Sequence, residues 1–153
     1  MAVTFIDTSI LCELLRVPGK CQQHEAVRDE FELRIGNGDR FVIPITAVIE
    51  TGNHIAQAGG DRRGAADRFC KMLASAASGE APFVIHQESW DERFLEELCS
   101  GNGTGQQFID LAGNGQMGAG DVAILVERDR FRTRSAYGTV GIWTLENVLG
   151  AYA

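Results

Sequence analysis

The sequence predicts an α/β fold of three layers, α/β/α, with helices flanking a central, twisted, mostly parallel sheet of about four to five strands. Three observations point there. Short β-prone runs alternate with helical segments along the chain, and such alternation brings each strand back in the same direction through a helical crossover. No Asn-Gly or Asp-Gly dipeptide joins two strand-like runs directly, so the tight hairpins of an antiparallel sheet have no sequence support. The first strand-like run ends on a lone carboxylate, Asp7. An open parallel sheet gathers its chemistry at that edge.

A chain of 153 residues is expected to form one domain with a sizeable core. It is 44% hydrophobic and 23% charged, as globular proteins are. No run approaches the ~20 apolar residues of a membrane helix, and no basic stretch followed by an apolar one marks a secretory signal. The expectation is a cytoplasmic protein with no membrane partner. Cys12, Cys21, Cys70 and Cys99 are scattered without a CxxC pair, so neither a zinc site nor a disulfide framework is expected. His24, His54 and His86 are equally isolated. The net charge of −7 excludes a nucleic-acid coat protein with a broad basic face. It does not exclude a metal-dependent nuclease, because carboxylates that hold cations are neutralised once the ions bind.

Taken in order, the first strand covers about residues 3–7. A short helix follows over 8–16, closed by Val17-Pro18-Gly19. Residues 20–35 carry Val27, Phe31 and Ile35 at helical spacing. Gly36-Asn37-Gly38-Asp39 breaks that helix, and Phe41-Val42-Ile43-Pro44 is the second strand. A helix over 45–57 has Thr46 as its expected N-cap. Gly59-Gly60-Asp61 separates it from an Ala-rich helix over 62–77. Phe83-Val84-Ile85 is a third strand, and residues 89–99 form a helix burying Trp90, Phe94, Leu95 and Leu98. The glycines from 101 to 115 read as turns around a single helical turn at 108–112. Residues 121–127 form a helix apolar nearly all round, hence buried, with Arg128, Arg130, Arg132 and Arg134 as its basic exit. Residues 139–144 supply the last strand, and 147–149 a short helix or turn.

Most acids in this layout fall on solvated helix faces. Asp7, Glu50, Asp121 and Glu146 do not. Asp7 ends a strand, Glu50 lies in the helix after the second strand, Asp121 opens the buried helix, and Glu146 follows the last strand. In a parallel α/β layout these positions share one edge. Like charges crowded there raise one another's pKa unless cations are present. Hard oxygen ligands suit Mg²⁺ or Mn²⁺, and paired ions of this kind serve phosphodiester hydrolysis without a His, Ser or Cys nucleophile. Taken singly, each acid also has a structural reading: Asp7 and Asp121 as helix caps, Glu50 and Glu146 as solvated surface groups.

Phe5-Ile6-Asp7-Thr8-Ser9, then Ile43-Pro44-Ile45-Thr46-Ala47-Val48-Ile49-Glu50, then Met117-Gly118-Ala119-Gly120-Asp121-Val122-Ala123-Ile124-Leu125, and finally Ile142-Trp143-Thr144-Leu145-Glu146 resemble the ordered motifs of the PIN-domain family. The resemblance runs through essentially the whole chain, at a length like that of the VapC-like toxins. It implies a PIN-like fold and a Mg²⁺- or Mn²⁺-dependent endoribonuclease. Asp7, Glu50 and Asp121 would take the metal positions, and Glu146 the fourth, where the family usually has Asp. Thr8, Ser9 and Thr144 would be supporting hydroxyls. It also implies RNA as substrate, a homodimer, and a small antitoxin partner of a toxin–antitoxin pair. The segment from Glu127 to Thr144 is longer than the family's usual one. Candidate phosphate contacts are Arg62, Arg63, Arg68 and Lys71, with Arg128, Arg130, Arg132 and Arg134; their structural alternative is to complement helix ends. The Gly-rich loops lack a Gly-Lys-Ser/Thr signature and are not read as a phosphate cradle. The rival reading is a catalytically eroded interaction module on the same fold. A receiver-like phosphoacceptor fits less well, for want of an acidic neighbour to Asp7.

Overall fold

Val3, Phe5 and Ile6 are apolar, β-prone and wholly buried, and they form the middle strand of the sheet. A computed structural model describes residues 1–153. Strand β1 (Val3–Ile6) lies between β2 (Arg40–Val42) and β3 (Val140–Trp143), and both pairings are parallel. Phe5 stands level with Val42 on one side and Ile142 on the other. The pleat therefore sends Val3, Phe5, Val42 and Ile142 to one face and Ile6, Phe41 and Trp143 to the other. Each face nucleates its own core.

Eight helices complete the chain. On the Ile6 face lie α1 (Thr8–Leu14), α2 (His24–Gly36), α3 (Ile45–Gln57) and α4 (Arg62–Ala77), contributing Ile10, Leu11, Val27, Ala47 and Met72 to the core there. On the Phe5 face lie α6 (Phe108–Gly113), α7 (Ala119–Arg134) and α8 (Asn147–Gly150), contributing Leu111, Val122, Ile124, Leu125 and Leu149. Helix α5 (Glu92–Cys99) packs behind α7 through Phe94, against Ala123 and Val126.

From β1 the chain passes to β2 on one side, then crosses to β3 on the other. The crevice opened by that reversal lies at the carboxyl ends of the strands, where α/β sheets bind ligands. No helix is long and apolar enough to cross a membrane.

Several expectations are corrected. The sheet has three strands, not four or five. Phe83 forms one parallel bridge beside Phe41, through Phe41 N–H to Pro82 O and Val84 N–H to Phe41 O. The chain then leaves the sheet edge, turning Ile85 to solvent and His86 inward to Glu127. Thr46 is not a cap; Pro44 holds the N-cap position with its extended backbone, and no side chain caps the helix. Helix α5 starts at Glu92, capped by Asp91 on the Phe94 amide at 2.8 Å. That later start leaves Trp90 and Leu95 half exposed, so Phe94 alone of the expected stripe is fully buried. The four arginines of the basic exit belong to α7 itself, which runs on to Arg134.

The glycine-rich turns behave as read. Gly101, with φ +78°, turns the chain where a Cβ would run into the Gln106 carbonyl.

Candidate metal centre

Asp7 follows β1 directly, and its amide donates to the Trp143 carbonyl at 3.0 Å, extending the β1–β3 ladder by one bond. The backbone carbonyl of Asp7 accepts the first helical bonds of α1, but its side chain caps nothing. The carboxylate is instead buried, at 5% exposure, and its Oδ2 accepts the Thr144 hydroxyl at 2.7 Å and the Ser9 hydroxyl at 3.0 Å. Both hydroxyls hold further backbone: Ser9 Oγ accepts from Leu145 N–H and Thr144 Oγ1 from Glu146 N–H, each at 3.0 Å. This weave ties the exit of β3 to the start of α1 and fixes the Asp7 rotamer.

Glu50 reaches the same place from α3. Thr8 Oγ1 donates to its Oε2 at 2.8 Å, and its Oε1 lies over the backbone of Gly120, where any Cβ would collide with it. That contact brings α3 and the first turn of α7 together. Asp121, one residue on, takes the Gly118 amide on Oδ2 at 3.0 Å. It therefore serves helix α7 as a first-turn acceptor while facing Asp7 and Glu50. Glu146 stands at the N-cap of α8, is exposed, and caps nothing with its side chain.

The electrostatics show that the four acids share one neighbourhood. Burial raises the Asp121 pKa; the Gly118 amide opposes this, and Asp7 and Glu50 add to it. Glu146 is raised by partial burial, then by the charges of Asp121, Asp7 and Glu50. For Asp7, Glu50 and Asp121, one carboxylate oxygen is tethered by a hydroxyl or amide, and the other has no hydrogen-bond donor within the chain. An all-oxygen donor set with unmet acceptors fits a hard divalent cation. No three His, Cys, Asp or Glu side chains are grouped closely enough to hold an ion as they stand. Mutual repulsion of uncompensated carboxylates favours that spacing.

A cleft of about 350 Å³ opens beside these groups, lined by Thr8, Ser9, Glu50 and Glu146 together with Lys20, Gln22 and His54. Lys20 is the one lysine or arginine lining it. His54 sits one turn beyond Glu50 on α3, and its pKa is lowered by burial and then by Lys20, with Glu50 opposing. Burial pushes the Cys12 thiol in the same cleft up to about 11. Sequence reading missed Lys20 and His54, because neither lies in a motif and only the packing of the 17–23 turn against α3 brings them in.

The expected phosphate contacts are mostly engaged elsewhere. Arg68 donates to the Leu15 and Arg16 carbonyls beyond the end of α1, Arg62 to Ala56 O, and Lys71 pairs with Asp67. Arg128 is buried on Asp129 and the Tyr152 carbonyl. Arg130 pairs with Glu88, Asp91 and Glu97, Arg132 with Asp129, and Arg134 with Glu88. Arg63 is exposed and takes part in none of these bonds.

Outside this cluster, Glu13 and Glu127 are buried acids, and the Glu88 side chain is only 4% exposed. Glu13 takes the Gln23 amide at 3.0 Å, and Glu127 pairs with His86 at 3.1 Å. Compared with family models, with curated proteins and with solved structures, the chain gives no match.

Proposed function

We propose that this chain is a Mg²⁺- or Mn²⁺-dependent endoribonuclease of the PIN type. The observation that carries the reading is the meeting of Asp7, Glu50, Asp121 and Glu146, from four separate elements, at the carboxyl edge of a parallel sheet. Asp7, Glu50 and Asp121 would hold the cation, with Glu146 as the fourth ligand. Glu50 and Glu146, on long flexible side chains, would close toward Asp7, which Thr144 and Ser9 keep fixed. When bound, such an ion neutralises charge building up on a phosphate and lowers the pKa of water.

The chain's own groups provide the rest. Thr144 fixes Asp7, and Thr8 holds one oxygen of Glu50 and leaves the other free to turn toward a cation. Lys20, which lines the cleft, would meet a non-bridging phosphate oxygen and offset the acidic surroundings of an anionic substrate. The toxin role, the antitoxin partner and the homodimer enter the proposal through the sequence resemblance.

The test is RNA cleavage by the purified protein with Mn²⁺. The wild type should cut single-stranded or structured RNA, and Asp7→Asn should lower the rate by about 100-fold or more with the fold intact. Undiminished cleavage by Asp7→Asn and by Asp121→Asn would remove the assignment. One observation favours the second reading, an eroded interaction module: the Glu146 side chain is held by no hydrogen bond and stands where the PIN pattern has the shorter Asp.

A further inference from the structure

A cleft of about 620 Å³ lies not at the acid cluster but beside it. Its apolar lining comes from Ile45, Val48 and Ile49 of α3 and from Trp90 of the segment before α5. Its floor is polar and buried. Glu127 and His86 contribute to it, with side chains only 1% and 6% exposed. Their mutual bond uses Glu127 Oε2 and His86 Nε2. Glu127 Oε1 and His86 Nδ1 are left buried with no partner at all.

Unsatisfied polar atoms this deep are rare in a folded protein and call for an explanation. When the Nε2 proton is donated to Glu127 and the ring is neutral, Nδ1 is an acceptor. Glu127 Oε1 is an acceptor as well. In that tautomer both orphaned atoms call for a hydrogen-bond donor, and the ionised Glu127 Oε1 calls for one in either state of the ring. Trp90 is 48% exposed although one face of its indole stacks on Phe94 at 5.5 Å. Ile45 and Ile49 of the same cleft are about half exposed. The cleft thus combines an apolar lining with a buried acceptor that has no partner. That combination suits a planar ring bearing an amino group.

We propose that this cleft is a nucleobase pocket, which takes an unstacked amino-bearing base of the RNA (adenine, cytosine or guanine) and reads its exocyclic amino group with Glu127. Single-stranded RNA is recognised in this way, by bases splayed onto aromatic side chains and bonded at their edges, and a carboxylate accepts from such an amino group. The position agrees. Ile49 adjoins Glu50 in α3, and Glu127 lies six residues beyond Asp121 in α7, about 9 Å along the helix axis. A base in the cleft would belong to a nucleotide flanking the phosphate at the acid cluster. Uracil has no exocyclic amino group; its single edge donor, N3–H, lies between two carbonyl oxygens that the Glu127 carboxylate would repel. The proposal takes from the ribonuclease reading only that the ligand is RNA.

The experiment follows the two tryptophan indole N–H signals of the ¹⁵N-labelled chain by NMR, without added cation, during titration with adenosine, cytidine or uridine. Trp143, buried beneath Phe31 and Phe41, is the internal control. Adenosine and cytidine should move the Trp90 signal with an affinity at least about fivefold tighter than uridine, and Trp143 should stay still. Glu127→Gln should erase that preference. Ile49→Glu, at an exposed position, should weaken all three nucleosides together, so the proposal stays testable even when Glu127→Gln does not fold. Uridine binding as well as adenosine, no movement of Trp90 with any nucleoside, or ranking retained in Glu127→Gln would overturn it. So would a response to L-argininamide alone, which would assign the cleft to a basic peptide. No cleavage is required, so nucleoside binding by a chain without ribonuclease activity would count against the proposed function and not against the pocket.

Discussion

Replacing Thr144 by Val removes the hydroxyl that donates to Asp7 Oδ2 and receives the Glu146 amide. Mn²⁺ affinity, read by calorimetry, should fall by about 10- to 100-fold, as it does when a partner that orients a metal ligand is lost. Thermal stability should fall by only about 1 kcal/mol. Gly120→Ala probes the other side of the cluster. The new Cβ would displace Glu50 Oε1, yet Ala is favoured over Gly in a helix by roughly 1 kcal/mol. Mn²⁺ affinity should therefore drop about tenfold while the melting temperature is kept or raised. Equal Mn²⁺ binding by both variants and wild type would separate Glu50 and Asp7 from any cation site. At this scale the placement of Asp7, Glu50 and Asp121 followed from the layout of the sequence: Asp7 ends a strand, Asp121 lies in the first turn of α7, and Glu50 sits in the helix after β2. Lys20, His54 and the Glu127–His86 pair were not legible there. The last joins residues 41 positions apart, and no local pattern marks which acid inside an apolar helix will find a histidine.

Between elements, Arg130 binds α7 to α5 and to the segment before it through Glu97, Asp91 and Glu88. Its guanidinium also lies 5.2 Å from the Phe94 ring centre. Arg130→Ala leaves Glu88, only 4% exposed, short of a partner, and should lower stability by about 2–3 kcal/mol in urea unfolding. A phosphate-binding Arg130 would give the opposite pattern, weaker RNA binding at unchanged stability. Element identity was readable from apolar periodicity and from the Gly and Pro breaks. Element ends were less so. Pro44 caps α3 by its fixed backbone angle, and Asp91 capping Phe94 starts α5 later than its apolar residues suggest. The Phe83 strand shrank to a bridge because the chain turns inward there to deliver His86, a tertiary demand that strand propensity does not register.

Across the whole molecule, the order of parallel pairing brings four distant acids to one edge, and their repulsion should be visible in stability. Burial and neighbouring carboxylates hold Asp121 and Glu146 above their ordinary pKa values, so the folded chain keeps these protons to higher pH than the unfolded chain. Stability is then lost as pH rises through the carboxylate range, and the penalty is complete above the raised values. Asp91, which is lowered by the Phe94 amide and then by Arg130, acts in the opposite sense and loses its contribution at acid pH. The comparison that isolates the cluster is Asp121→Asn against wild type, in chelator. The stability advantage of the variant should grow between about pH 4 and pH 7, measured by thermal melts at each pH. The α/β class and the sharing of one edge followed from strand–helix alternation. Strand number did not, because a sheet of three strands is sufficient once helices cover both faces.

Calorimetric titration of Mn²⁺ into wild-type protein and into an Asp7→Asn/Asp121→Asn double variant is the most direct test that these acids form one cation site. The wild type should release or absorb heat with saturation below about 1 mM, and the double variant, folded by circular dichroism, should give only heat of dilution. Indistinguishable titrations of the two proteins would contradict it.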